Sequence, residues 1–383
     1  MRIALFTNNY LPNPYGVSSS IESFRVEFEK MGHTVYIFAP HFKGYVDENP
    51  NVFRYPAIEI TLRGVRYPIA IPFSYKISRI LKNLEIDVIH AQHPNLLGWV
   101  AKRWAKKKKI PLIFTWHTLY DRYAHFVPLV PTAISAWWSI SNAKRFANKA
   151  NYVVVPTPSV KKIIQDWGVT NKNIIAIPSG IEEGKFIDPN GVVIKDKFEI
   201  KKDDFVILLV SRLTAEKNVE FIFDSLIPIL KAEEKIKFLV VGGGNKRKDL
   251  EKNVIENSLS AQILFGGEVG QKEIKNYYAA ADIFVYASKS ETQGMILTEA
   301  MYMGLPIVAL RAPGVRDMVG NFITGILIKE NKNEFSSAVL KLMKDGELRK
   351  QYSDKSKLVA FENYTAKVCA KKLLQIYNEK KSK

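Results

Sequence analysis

Residues 283–310 read IFVYASKSETQGMILTEAMYMGLPIVAL. An apolar run, Ile283 to Tyr286, passes through a polar loop into an amphipathic stretch and then into a second apolar run, Pro306 to Leu310. Short Val/Ile/Phe-rich runs joined by a helical segment are the pattern of parallel strands with a crossover helix. The same alternation continues upstream, where the pattern predicts strands at Phe205 to Val210, Lys237 to Val241 and Gln262 to Phe265. In the first half it predicts strands at Ile3 to Thr7, Thr34 to Ala39, Asp87 to Ala91, Leu112 to Trp116, Tyr152 to Pro156 and Ile174 to Ile177. A helix over Ser18 to Lys30 puts Ile21, Phe24 and Phe28 on one face.

Between the halves, after Ile187, the stretch DPNGVVIKDKFEIKKDD breaks the periodicity with Pro and Gly. The reading is therefore an α/β chain of two similar, doubly wound lobes facing a central cleft. Residues 1–186 form the first domain and residues 187–364 the second. A last helix, Thr365 to Lys380 within the segment 365–383, is long enough to cross back to the first. In open parallel sheets ligands bind beyond the carboxyl ends of the strands, so the chemistry is sought there.

A chain of 383 residues with 47% hydrophobic and 11% aromatic residues can bury two sizeable cores. The single cysteine, Cys369, excludes an internal disulfide framework and a zinc site of several thiolates, and reads as a buried apolar filler in a reducing compartment. The apolar run in MRIALFTNNY is too short and too interrupted for a signal peptide or a spanning helix, and no other stretch is suited to span a bilayer. Charge is the unusual bulk feature: 56 Lys and Arg against 38 Asp and Glu leave +18, a field that draws polyanions. Nucleic acid, an anionic membrane face and nucleotide ligands all fit it, as does a lysine-rich background with no partner.

Glu291 and Glu299 are separated by seven residues, with Glu291 in the loop before a helix and Glu299 about two turns inside it. The helix start between them offers unpaired N–H groups and a positive dipole end, a cradle for a diphosphate, and Gly294 permits close approach. Ionised carboxylates accept hydrogen bonds only and suit the vicinal hydroxyls of a sugar or a ribose. The competing reading is a capping carboxylate and a solvent-facing Glu. Upstream, SRLTAEKN places Arg212 and Lys217 after a strand, where two cations can neutralise a leaving diphosphate. The alternative is a solvated helix start in which Glu216 pairs one of them.

SRLTAEKN, VVGGGNKRKDL, ILFGGEV, the run from Tyr277 to Ala309 and the N-terminal PNPYGVSSSIESF together resemble family 4 of the retaining glycosyltransferases, over nearly the whole chain. The resemblance implies the GT-B fold, two Rossmann-like lobes with the donor on the second. It implies that Glu291 contacts the donor sugar, Glu299 holds the ribose, Arg212 and Lys217 bind the diphosphate, and Gly16 approaches the phosphate. By the same analogy Gly294, Met295, Ile296 and Leu297 supply the helix start, Val269 lies near the base, and His117 meets the sugar near the reacting carbon. Retention at the anomeric carbon and no metal or other cofactor are implied; no Asp-x-Asp motif stands in a suitable loop. Gly242 to Gly244 lack the full dinucleotide-binding spacing and read as a turn into the cleft.

The first half most resembles the branch that glucosylates diacylglycerol or related lipids, which implies UDP-glucose as donor and a lipid acceptor. Tyr120 and Asp121 are placed to shape the acceptor mouth. Trp137 and Trp138, with Lys144, Arg145, Arg63, Arg66 and Lys102 to Lys109, suit an anionic bilayer; alternatively the tryptophans are core and the lysines close a helix. The expectation is a cytoplasmic enzyme held at the inner face of the cell membrane, with no specific nucleic acid. Other readings are a family 4 transferase for a soluble sugar, polyprenyl-linked or polysaccharide acceptor, a sugar-nucleotide epimerase, and a non-enzymatic polyanion-binding module.

Overall fold

The computed structural model describes residues 1–13, 16–62, 65–123, 131–320 and 323–379. Pro14 and Tyr15 beside Gly16, Arg63, residues 124–130 and residues 380–383 lie outside the described residues. The chain divides into two compact units, Met1–Gly180 with Ala366–Lys383, and Ile181–Thr365.

The strands of the first unit are β1 (Arg2–Phe6), β2 (Thr34–Pro40), β3 (Val52–Tyr55), β4 (Ala57–Leu62), β5 (Val65–Ala70), β6 (Val88–Ala91), β7 (Leu112–Thr115), β8 (Tyr152–Val155) and β9 (Ile174–Ala176). Seven form a parallel sheet in the order β3-β2-β1-β6-β7-β8-β9, while β4 and β5 make a separate antiparallel hairpin. The second unit holds β10 (Phe205–Val210), β11 (Ile236–Val241), β12 (Ile263–Gly267), β13 (Ile283–Tyr286), β14 (Ile307–Leu310) and β15 (Gly325–Ile328). These pair in parallel in the order β12-β11-β10-β13-β14-β15. The central strands are apolar on both faces because helices cover both sides of the sheet, and β6, β7, β8, β13 and β14 are buried at every residue.

Each sheet has one place where the strand order reverses, between β1 and β6 and between β10 and β13. Connections leave in opposite directions there, so the loops after the two strands part and leave a crevice. The loops after β1 and β6 begin at Thr7 and Gln92; those after β10 and β13 begin at Ser211 and Ala287.

The last helix, Ala366–Glu379, belongs to the first unit. Cys369, Leu373, Ile376 and Tyr377 recur at helical spacing and are all buried. Tyr377 packs on Phe28 of the helix Gly16–Lys30 with ring centroids 5.8 Å apart, and its hydroxyl lies 2.6 Å from His90 Nδ1 in β6. Cys369 is fully buried, and burial pushes its thiol up to about 12, so it is inert.

The division between the units falls before Ile181, earlier than the end of residues 1–186, for a local reason. The Ile181 N–H donates to the Tyr364 carbonyl at 2.7 Å, and Phe186 packs between Tyr278 and Tyr302 of the second unit. No helix among the described residues is long and apolar enough to cross a membrane.

Candidate functional site

The reversal point of the second sheet gathers the cluster with the most chemistry. Lys217 ends a single 3-10 turn, Ala215–Lys217, in the loop after β10, and Glu291 stands in the loop after β13. The Lys217 ammonium and Glu291 Oε1 form a short ion pair, both side chains being largely shielded from solvent. Tyr286, the last residue of β13, donates its hydroxyl to the same Oε1 at 2.6 Å and lies 3.5 Å from Lys217 Nζ. Burial alone raises the Glu291 carboxyl, but the Lys217 charge and hydrogen bonds from Lys217, Tyr286 and Ser288 outweigh it and hold the group below the usual carboxylate range. The site therefore keeps a full negative charge beside a full positive one.

Arg212 does not join this pair. Its guanidinium is half exposed and lies 3.2 Å from Glu216, the pairing weighed from the sequence. An exposed pair of this kind contributes little to stability and is easily exchanged for a better anion. Two loops of the crevice also carry buried hydroxyls that have no hydrogen-bond partner among the described residues, Thr214 Oγ1 and Ser290 Oγ. Buried polar atoms are rarely left unpaired, and these two lie on either side of the reversal point, where a polar ligand would satisfy them.

Gly242 to Gly244 bring two stretches of backbone close together. A Cβ on Gly242 would stand 1.9 Å from the Ser211 carbonyl oxygen, and one on Gly244 2.3 Å from that of Leu213. The Leu213 N–H donates to the Gly243 carbonyl at 2.7 Å. The glycines thus let two backbones lie flush and brace the Arg212–Lys217 loop from behind. Val269 is half-buried against the core of this unit.

The helix Met295–Tyr302 starts at Gly294, whose φ of 77° is the left-handed region glycine tolerates, and no side chain caps it. The Glu291 carboxylate is paired with Lys217 and Tyr286. The Leu297 N–H already donates to the Gly294 carbonyl at 2.9 Å and the Leu297 side chain is fully buried, so Met295 and Ile296 supply the amides at the helix start. Glu299, further along, accepts a hydrogen bond from the Tyr278 hydroxyl at 2.9 Å. Burial raises its carboxyl to about 7, opposed by Tyr278 and Lys185. It is not a solvent-facing Glu.

A folded-state value above the unfolded one means that the native protein holds this proton more tightly. The stability it contributes is fully present below about pH 4.5 and is lost as the pH rises through about 7. Thermal melts of the ligand-free protein from about pH 5 to about pH 8 should lose roughly 1 to 3 kcal/mol from this group. In Glu299→Gln that part of the slope disappears; an unchanged slope would show that Glu299 ionises normally.

In the first unit, His117 follows β7 and its Nε2 lies 2.7 Å from Gln92 Oε1, at the end of β6. Burial, with smaller effects from His93 and His90, lowers it to about 3, so it is neutral and, protonated on Nε2, donates to Gln92. His93 is likewise lowered by burial, to about 4, and its Nδ1 accepts from the Asn8 N–H at 3.1 Å, tying the β1 and β6 loops together. Gly16 opens the helix Gly16–Lys30, with open space where a Cβ would stand.

Tyr120 packs edge-on against the buried Trp116 at 5.7 Å, which makes it part of the wall, and Asp121 beside it is exposed. Trp137 and Trp138, on the helix Thr132–Ala147, are 67% and 54% exposed, so they are not core residues. Tyr286, Tyr278, Gln92 and His93 carry no motif and were legible only as strand-end, helix or loop residues.

Comparison with known proteins gives the family and the fold. Residues 14–185 match the family model described as Glycosyltransferase Family 4, and residues 193–359 that described as Glycosyl transferases group 1. Alpha-monoglucosyldiacylglycerol synthase of Streptococcus pneumoniae is 30% identical over 90% of this chain and 78% of its own, and the enzyme of the same name from Acholeplasma laidlawii is 31% identical over 87% and 86%. HepE of Anabaena, solved in complex with UDP, superposes with a TM-score of 0.79 over 99% of this chain and 100% of its own at 16% identity, which shows a shared fold. The protein thus belongs to glycosyltransferase family 4 and is a hexosyltransferase of the GT-B fold.

Proposed function

We propose that the protein transfers glucose from UDP-glucose to diacylglycerol or a glycosylated diacylglycerol, with retention at the anomeric carbon and without a metal. The observation that carries the transfer chemistry is the shielded Lys217–Glu291–Tyr286 cluster at the reversal point of the second sheet. In this reading the diphosphate takes up the positive field of Lys217, Arg212 and the amides of Met295 and Ile296, while Glu291 accepts hydrogen bonds from the sugar hydroxyls. The bond from the anomeric carbon to the phosphate oxygen breaks, the bond to the acceptor oxygen forms on the same face, and the acceptor proton passes to the departing phosphate. Charge at that oxygen is what the cations stabilise, and preorganised groups of this kind commonly lower the barrier more than any other single effect.

Glu299 in this reading accepts from both ribose hydroxyls, which requires its ionised form. Donor kcat/KM therefore rises with pH through about 7. Neutral His117 contributes a hydrogen bond to a sugar hydroxyl and no proton transfer across that range.

The lipid acceptor is supported by the names of the two relatives and by the exposed Trp137 and Trp138, aromatic side chains that suit the headgroup boundary. With labelled UDP-glucose, UDP-galactose and GDP-mannose offered against diacylglycerol vesicles and simple sugars, label should enter the lipid extract from UDP-glucose alone. Label in soluble saccharide, or from GDP-mannose only, overturns the reading. Flotation with anionic vesicles should carry the protein upward, and a variant with Trp137→Ala and Trp138→Ala should lose most of that binding with little change in melting temperature.

A further inference from the structure

Six lysines lie on the helix Leu97–Lys108, just after it and on the loop that precedes β8, and the structure divides them into two groups. Lys107 stands over the Trp104 ring at 4.6 Å, and Lys108 donates to the Lys82 and Leu84 carbonyls, so both are accounted for by the fold. Lys102, Lys106, Lys109 and Lys149 instead line a cavity of about 750 Å³ floored by Ile110, Pro111 and Leu112. No acidic residue lines it, and among the described residues none of the four makes an ion pair. A helix C-terminus attracts cations, which accounts for lysines in its last turn. The end of the helix Thr132–Ala147 accounts for Lys149 in the same way, but neither helix end accounts for Lys102, in the middle of its helix, nor for lysines of two elements lining one cavity.

Lys102 is lowered by burial first and then by the charges of Lys149 and Lys106. Lys102 is half-buried and Lys106, Lys109 and Lys149 are exposed, so like charges gather around an open apolar surface with no carboxylate among its lining residues, and one anion with several acceptor oxygens can face them all. The cavity sits at the amino-terminal end of β7, whereas His117 follows the carboxyl-terminal end of the same strand. Its occupant is therefore neither donor nor acceptor in the reaction.

We infer that the Lys102–Lys106–Lys109–Lys149 cavity is a second anion site of the first unit, built for a phosphate group. Phosphate chemistry suits it because several ammonium groups act as separate point charges, each able to face a different oxygen of a multiply charged anion. The group reaches the site either on a free phosphate compound or on the headgroup of an anionic lipid. The site stands whether or not the acceptor is a lipid.

The test is acetylation of the full chain with an amine-reactive ester, read lysine by lysine by mass spectrometry. Inorganic pyrophosphate, phosphatidylglycerol vesicles and phosphatidylcholine vesicles are compared at matched ionic strength. At ligand about ten times its dissociation constant, Lys102 and Lys149 should react about tenfold more slowly, while the exposed Lys162 and Lys172 are unaffected. Protection by pyrophosphate assigns the site to free phosphates, and protection by phosphatidylglycerol vesicles alone assigns it to lipid headgroups. Unchanged rates in every arm overturn the inference.

A variant with Lys102→Met and Lys149→Met keeps the aliphatic stems and should abolish the protection of Lys106 while its melting temperature holds or rises. Retained protection of Lys106, or a marked fall in melting temperature, would show that the two lysines serve the fold instead.

Discussion

Glu291→Gln is expected to lower kcat/KM by about 10²- to 10³-fold, the usual cost of removing one preorganised polar group from a reacting centre. Glutamine keeps the shape and still accepts from the Tyr286 hydroxyl, so what is lost is the charge facing Lys217 and the sugar. The ammonium of Lys217 is then left in a shielded place without its partner, which destabilises the ligand-free protein, because an uncompensated charge there is costly. UDP, which carries no sugar, should bind the variant at least as tightly as the wild type, since its diphosphate supplies the missing anion. Weaker UDP binding in parallel with the loss of turnover would mean that Glu291 merely holds the loop, and turnover within twofold of wild type would remove it from the chemistry.

Lys217→Met should act on the other half of the pair. The loss in kcat/KM is again on the order of 10²- to 10³-fold, but here UDP binding falls with it, because the cation that faces the diphosphate is gone. With Lys217 absent, burial becomes the dominant influence on Glu291 and its carboxyl moves upward. The residual activity should therefore increase with pH over a range where wild-type Glu291 is fully ionised. The double variant Glu291→Gln with Lys217→Met should lose less than the product of the two single losses, as expected for groups in direct contact. Strict multiplication would mean that the two act apart.

Much of the framework was legible because the central strands are uninterrupted apolar runs. β10 and β13 are found at the predicted Phe205 to Val210 and Ile283 to Tyr286. β3, the β4–β5 hairpin and β15 were not foreseen. β3 reads VFRY and lies at the sheet edge, the hairpin mixes Glu, Thr, Arg and Pro into its strands, and β15 is only four residues long with glycine first. In none of them does local composition separate a strand from a loop.

The candidate site divides in the same way. Glu291 and Lys217 stand out by spacing and position, but their direct pairing depends on two loops meeting across a sheet, which no local pattern encodes. The raised carboxyl of Glu299 comes from burial, its partner Tyr278 stands on a different helix, and the contact of His90 with Tyr377 joins residues far apart in the chain. Trp137 and Trp138 sit in a stretch without clear periodicity, so burial was undecided until the helix was oriented.

The position of the helix Ala366–Glu379 has a bearing on how the polypeptide is made. During translation the segment up to Gly180 emerges first, yet the surface that receives Cys369, Leu373 and Tyr377 stays bare until the ribosome has produced some 185 more residues, the whole of Ile181–Thr365. The nascent sheet meanwhile exposes Phe28 and the apolar side chains around it, a surface of the aggregation-prone kind. The later-made unit, contiguous in sequence, can close first, so the order of maturation runs opposite to the order of synthesis.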